Sequence, residues 1–235
     1  MSTTAATAAT TVPESAAAPR ERARSFLLAR LGSLFSILPL GVWTLFHLWA
    51  NLAAFTGARA WQEDVTGHAS VASSALVSFF VLVPLLWHMC WGIARMLRSR
   101  PTVGDTRFSN IRYIVQRLSA IGLLGFLGAH LYLAWFSPRF LEHQPESFRD
   151  IAAHMHHHLP TTIVYALGIL AVAYHLANGL WSFAMGWGLT VSRNSQDWMQ
   201  RVMLVLFVLF LAIGWGAEYG LYHAGASFPP PADMH

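Results

Sequence analysis

The stretch VLVPLLWHMCWGIARM, residues 81 to 96, sets one imidazole, His88, inside a run otherwise apolar enough to lie in lipid. Hydrocarbon offers a polar ring no hydrogen bond, so something within the fold must satisfy it. The run also points to the solvent in which the chain folds. Of 235 residues, 55% are hydrophobic and only 11% charged, with a mean hydropathy of +0.44, which argues against a soluble domain. Apolar stretches long enough to cross a bilayer recur five times, at roughly 31–55, 71–94, 114–136, 161–185 and 202–222. Backbone polar groups in lipid must bond within their own segment, so each stretch is expected to be a helix, and short connections make them one up-and-down bundle. The fold class expected is an all-α integral membrane protein with five transmembrane helices.

All 15 basic residues are arginine. The N-terminal segment carries Arg20, Arg22, Arg24 and Arg30, and the second connection carries Arg95, Arg98, Arg100, Arg107, Arg112 and Arg117 against Asp105 alone. The first connection sets Arg59 against Glu63 and Asp64, and the third sets Arg139 and Arg149 against Glu142, Glu146 and Asp150. By the positive-inside rule this alternation puts the N-terminus in the cytoplasm and the C-terminus outside. A nucleic-acid partner would need a basic face on a soluble domain, and none is expected. Residues 1–25, rich in Ala, Thr and Ser, read as a disordered cytoplasmic tail without the apolar core of a signal peptide. Residues 26–223 read as the helical bundle and 224–235 as a short outer tail.

Pro39 and Pro84 fall within the first two helices, where a membrane bundle tolerates them, and Pro160 suits the first turn of the fourth. Pro138 and Pro145 read as breakers in the third connection. Trp61, Trp135, Trp187, Trp198 and Tyr222 lie near expected helix ends, as in interfacial belts. Small residues recur at helical spacing at Gly122, Gly125, Gly128 and Ala129, and again at Gly168, Ala171 and Gly179. Such stripes admit either a neighbouring helix or a flat cofactor.

Four histidines stand one in each of the first four helices: His47 in LFHLW, His88 in LLWHMCW, His130 in GAHLY and His175 in AYHLANG. At about 1.5 Å of rise per residue, His47 and His130 lie nearer the outer face. His88 and His175 lie nearer the inner one, His88 being about 10 Å from Arg95. Two layers of two neutral imidazoles suit two six-coordinate b-type haems, with the four histidines as iron ligands. Zinc would want three or four ligands at one point, and a proton relay gives no reason for pairing by depth. The single cysteine, Cys90, excludes an internal disulfide, and no C-x-x-C-H motif exists for covalent haem attachment. The HMHHH run at 154–158 reads as a solvated or interfacial cluster rather than a metal site, and His68, His143, His223 and His235 as surface residues.

The stretches LGSLFSILPLGVWTLFHLWANLAAFTG, FVLVPLLWHMCWGIARM, NIRYIVQRLSAIGLLGFLGAHLY and YHLANGLWSFAMGWGLTVSRNSQ cover most of residues 31–196. They resemble the single-chain, five-helix, diheme cytochrome b subunit of succinate:quinone oxidoreductases and fumarate reductases. The V-Q-R-L run and the H-x-x-N-G-L-W-S-F run from His175 to Phe183 are the most specific pieces.

The resemblance implies that His88 and His175 bind the proximal haem b and His47 and His130 the distal one. Arg30, Arg117 and Arg193 become candidates for pairing with haem propionates. It implies a cytoplasmic face docked to an iron-sulfur subunit, which carries an FAD-containing flavoprotein subunit, and a chain that anchors both in a bacterial cytoplasmic membrane. Electrons would pass between succinate and a membrane quinone, menaquinone being favoured. Glu63, Asp64 and His68 are the outer candidates for quinone proton exchange. Ala173 stands where some menaquinol-oxidising relatives carry a glutamate, which favours the succinate-oxidising direction, and the resemblance leaves the complex free to dimerise. The alternatives are a cytochrome b subunit of another respiratory enzyme, fitted poorly by one histidine per helix, and a cofactor-free transporter, which would need a polar pathway or broken helices.

Overall fold

The computed structural model describes residues 17–67, 71–98 and 108–231. Among these, every regular element is helical. Five helices are long and apolar enough to cross a membrane: Ala23–Phe55, Ala75–Arg98, Asn110–Leu141, Leu159–Gly186 and Arg193–Gly225, here spans one to five. Each reaches beyond at least one end of its apolar stretch. Hydropathy marks the part immersed in lipid, whereas the backbone ladder continues into the interface wherever a cap or good helix formers sustain it. Span five shows this: it begins at Arg193, with Ser192 Oγ accepting from Ser195 N at 3.1 Å.

Three expectations change. The helix leading into span one begins at Ala17, so residues 17–25 are helical rather than disordered; alanine, arginine and glutamate are good helix formers. Residues 1–16 lie outside the described set. The third connection holds a helix of its own, Phe148–His157, and Pro138 lies inside the end of span three rather than breaking it. Trp61 is 1% exposed and belongs to a core cluster rather than to a lipid-facing belt.

The prolines are accommodated by widening the helix. Spans one, two and three each contain a π turn, at Ser36–Gly41, Ser78–Leu82 and Tyr132–Leu141. Pro39 and Pro138 lie within such turns and Pro84 follows one closely. A proline ring would collide with the carbonyl four residues earlier in a regular α-helix, and a wider turn relieves that contact. Pro160 occupies the first turn of span four as expected.

Spans four and five pack closely along a core of Ala173, Ala177, Met203 and Phe210. Span three packs on span four, and span one lies against spans two, four and five. Spans one and three are not among the closely packed pairs, nor are spans two and four. Phe148–His157 closes one end of the bundle with Ala54, Trp61 and Leu221. Gln62 braces that end, its Nε2 donating to the Glu146 carbonyl at 2.9 Å and its Oε1 accepting from Phe148 N at 3.1 Å. The opposite end holds Arg30, Arg95, Arg98, Arg112, Arg117 and the start of span five.

Candidate functional site

The four membrane histidines meet in the two pairs expected from depth. The rings of His47 and His130 lie 5.8 Å apart, centre to centre, at 69°. Those of His88 and His175 lie 6.2 Å apart at 78°. Each pair reaches between two spans that do not pack closely on each other. Along the helices the pairs are separated by roughly 15 to 22 Å, reckoned from the residues that touch each ring.

The surroundings of the rings favour one nitrogen over the other. His88 Nδ1 lies 3.4 Å from the Gly32 carbonyl of span one. His130 Nδ1 lies 3.1 Å from the Tyr165 hydroxyl of span four. His175 Nδ1 faces the Gln116 amide at 3.2 Å and the Ser119 hydroxyl at 3.4 Å. In these three rings Nδ1 is engaged by protein; at His88 the partner is a carbonyl, which keeps the proton on Nδ1 and leaves Nε2 to a metal, the arrangement by which outer partners orient a ligating imidazole. His47 is held differently. Its ring stacks on Trp43 at 4.6 Å and 10°, and its carbonyl accepts from Asn51 Nδ2 at 2.8 Å. Asn51 Oδ1 in turn accepts from Trp61 Nε1 at 3.0 Å.

Two observations test whether haem fits. Two imidazoles that would share one metal ion, each bound at about 2.0 Å, would need their ring centres roughly 6 Å apart. The two ring separations, 5.8 and 6.2 Å, agree with that spacing. The glycines supply the second observation. Gly168 meets Phe126, Gly214 meets Ile169 and Gly32 meets Trp91, so these positions serve close helix packing. A side chain at Gly92, Gly125, Gly128 or Gly179 would meet nothing within 4 Å. Gly92 and Gly179 stand four residues after His88 and His175, on the same helix faces. The small residues thus divide into a packing set and an open set, and Gly92 and Gly179 of the open set lie one turn from the rings.

The three arginine candidates differ. Arg30 lies over the rings of Phe26 and Trp187, at 4.7 and 5.5 Å. Arg117 donates to the Met96 carbonyl at 2.8 Å and lies over Tyr113 at 4.4 Å. Arg193 is exposed at the start of span five. Arg112, which the sequence offered only as one arginine among six, is buried against Trp181 at 3.9 Å and donates to Gln200. It ties span three to spans four and five.

At the opposite end Glu63 pairs with Arg59 at 2.8 Å in the open and Asp64 is exposed; His68 lies outside the described residues. The structure adds a cavity of about 100 Å³ there, between the end of span three, Phe148–His157 and the start of span four. Tyr165, the partner of His130, forms part of its wall, with Glu142, Asp150 and His154 among the other polar lining residues. Glu218 is also buried at this end of span five, and its Oε1 has no hydrogen-bond partner among the described residues.

The histidines of HMHHH bind backbone and neighbours. His156 contacts the Tyr222 carbonyl near the end of span five at 3.0 Å, and His157 contacts the Phe228 carbonyl at 2.8 Å, fixing the segment after that span. No group of three or more potential metal-binding side chains occurs among the described residues. Gln116, Ser119, Asn178 and Tyr165 were missed as site residues. Gln116 and Asn178 were within reach, because they stand inside the V-Q-R-L and H-x-x-N-G-L-W-S-F runs; Tyr165 gave no comparable signal.

A five-span helical bundle carrying paired histidines in two layers defines a membrane cytochrome b class. Comparison with known sequences agrees. Residues 95–214 match the succinate dehydrogenase/fumarate reductase transmembrane subunit family. The chain is 30% identical over 198 residues to the succinate dehydrogenase cytochrome b558 subunit of Bacillus subtilis (strain 168), covering 83% of this chain and 96% of that one. No solved structure matches it. The chain belongs to the succinate dehydrogenase/fumarate reductase family of transmembrane subunits, as a cytochrome b membrane anchor. That membership replaces the transporter and other respiratory alternatives.

Proposed function

We propose that the chain carries electrons between an iron-sulfur subunit and membrane quinone through two bis-histidine haems b, one between His88 and His175 and one between His47 and His130. The observation that carries this reading is the pair of ring separations, 5.8 and 6.2 Å, each bridging two spans that are not closely packed. Haem b, when bound, supplies a one-electron carrier at each layer. The protein's part is to hold the four imidazoles in two facing pairs and to keep the rings from rotating. The arginine-rich end faces the cytoplasm and docks the iron-sulfur subunit, which carries the FAD-containing flavoprotein; this orientation follows the arginine distribution. Arg30 and Arg117, held at that end, are candidate propionate partners for the nearer haem, with Arg193 beside them.

Quinone chemistry belongs to the outer end. Tyr165 joins the ring of His130 to a cavity whose polar lining can exchange protons with the outer phase. Glu63 and Asp64 lie on the same side with free access to water. Ala173, fully buried in span four, cannot relay a proton, which favours succinate oxidation, with menaquinone as acceptor. Reduced-minus-oxidised spectra of the purified complex test the reading. We expect two b-type α bands, one lost in His88→Ala with the other retained, and the converse in His130→Ala. A wild-type complex with no α band, or both bands intact in His88→Ala, refutes it.

A further inference from the structure

Span five carries no titratable side chain from Val202 to Ala217 and then sets Glu218 at the end of the bundle that holds the cavity. Glu218 is 8% exposed, and its Oε1 has no hydrogen-bond partner among the described residues. A carboxyl buried without a bond ties no helices together, and an apolar side chain would fill the place at less cost. An ionisable group kept inside a membrane helix on such terms points to a task in moving protons or ions.

The packing of spans four and five decides what Glu218 faces. Joined by a short connection, the two run antiparallel with Ile169 against Gly214. One turn further along each helix stand Tyr165 and Glu218, and Trp215 Nε1 fixes that register by donating to the Ala166 carbonyl at 3.0 Å. The two side chains interact electrostatically. Span one presents Leu52 to Gly216 and Ala54 and Phe55 to Gly220, none of them titratable. In the closing helix Phe148–His157, His156 lies against Tyr222, one turn beyond Glu218. Tyr165 is the neighbour that joins Glu218 to the cavity: its hydroxyl lies 3.1 Å from His130 Nδ1 and its side chain forms part of the cavity wall.

We propose that Glu218 is a proton-relay residue of the quinone reaction, acting through Tyr165. The proposal rests on the reading that quinone is reduced in the cavity beside Tyr165. Reduction there takes two electrons that originate in succinate and two protons. Having no bond to break, the Glu218 carboxyl reaches the Tyr165 hydroxyl by a change of side-chain torsion. Its O–H bond breaks as the proton passes to the Tyr165 oxygen, and the Tyr165 proton passes to one quinone oxygen. The tyrosine ends unchanged and Glu218 ends as a carboxylate. The other quinone oxygen takes its proton from the polar lining, where Glu142, Asp150 and His154 stand. A lone carboxylate in that apolar setting is costly, so Glu218 regains a proton from the outer phase by the same route once quinol has left.

The test uses the complete purified complex. Infrared difference spectra recorded on quinone reduction should show a carboxylic-acid C=O band that shifts in heavy water, vanishes in Glu218→Gln and moves in Glu218→Asp. Glu218→Gln, which has no acidic proton to give, should keep both haem α bands and lower succinate:quinone turnover by about tenfold or more; Glu218→Asp should restore part of the rate. Combined with Tyr165→Phe, Glu218→Gln should be no slower than the slower single variant, because both interrupt one path. No such band in the wild-type spectrum, a band that survives Glu218→Gln, wild-type turnover in that variant, or losses that multiply in the double variant overturns the proposal. If Glu218→Gln does not assemble, Glu218→Asp decides, and an unmoved band there overturns it. Tyr165→Phe separates the two levels: wild-type turnover in it rejects the placement of quinone, whereas a slow Tyr165→Phe beside a Glu218→Gln of wild-type rate rejects the role of Glu218 alone.

Discussion

At the scale of single residues, the site is built by side chains that hold other side chains. Spans three and four exchange partners: span three carries His130 and supplies Gln116 and Ser119 to His175, while span four carries His175 and supplies Tyr165 to His130. Each helix therefore fixes the ring of the other, and neither ring is set by its own helix alone. Removing the amide of Asn178 leaves Gln116 Oε1 buried without a donor, so Asn178→Ala should destabilise the subunit by about 1–3 kcal/mol, read as a lower melting temperature of the assembled complex. Tyr165→Phe keeps the ring but loses the hydroxyl at His130. On the proposal that quinone binds at the cavity beside Tyr165, that variant should retain both haems and lower succinate:quinone turnover by about tenfold, the size expected from one lost hydrogen bond. Glu63→Gln and Asp64→Asn should change turnover less, because both side chains stand in the open. Turnover in Tyr165→Phe equal to wild type would move the quinone away from this cavity.

At the scale of elements, glycine decides where two helices touch and where they leave room. Gly168 lies against Phe126, so Gly168→Leu should loosen the contact between spans three and four and lower thermal stability. Gly179 has open space where its side chain would stand, one turn beyond His175. Gly179→Leu should therefore leave helix content unchanged by circular dichroism but reduce the haem-to-protein ratio from two toward one. A variant that kept both haems would show that the open face of span four is lipid-facing rather than part of the pocket. The stripe Gly122 to Ala129 and the stripe around Gly168 were both legible in the sequence as small-residue faces. Their division into packed and open positions was not, because it depends on which side chains arrive from the neighbouring span.

At the scale of the whole molecule, the two ends of the bundle are built differently. One end is basic and carries the N-terminal helix. The other is closed by Trp61, Phe148, Met155 and Leu221, and braced by Gln62, His156 and His157. Of the histidines of HMHHH, noticeable in sequence as a possible metal cluster, His156 and His157 serve this closure. The alternation of arginines predicts that a phosphatase reporter fused after residue 231 is active outside the cytoplasmic membrane, while a fusion in the connection between spans two and three is inactive. An active reporter in that connection would invert the bundle and with it the side on which the iron-sulfur subunit docks.

The sequence by itself determined the five spans, the basic end and the depth of each histidine, because hydropathy, charge and a rise of about 1.5 Å per residue are properties of a chain read in order. His88 could be matched to His175 on those grounds alone. Only the tertiary structure decided which atoms face those rings. Gln116, Ser119 and Tyr165 reach their histidines across 59, 56 and 35 residues, and contacts of that span are fixed by helix packing, not by local periodicity. The burial of Trp61 and the cavity beside Tyr165 belong to the same class: each depends on what a neighbouring element places against it.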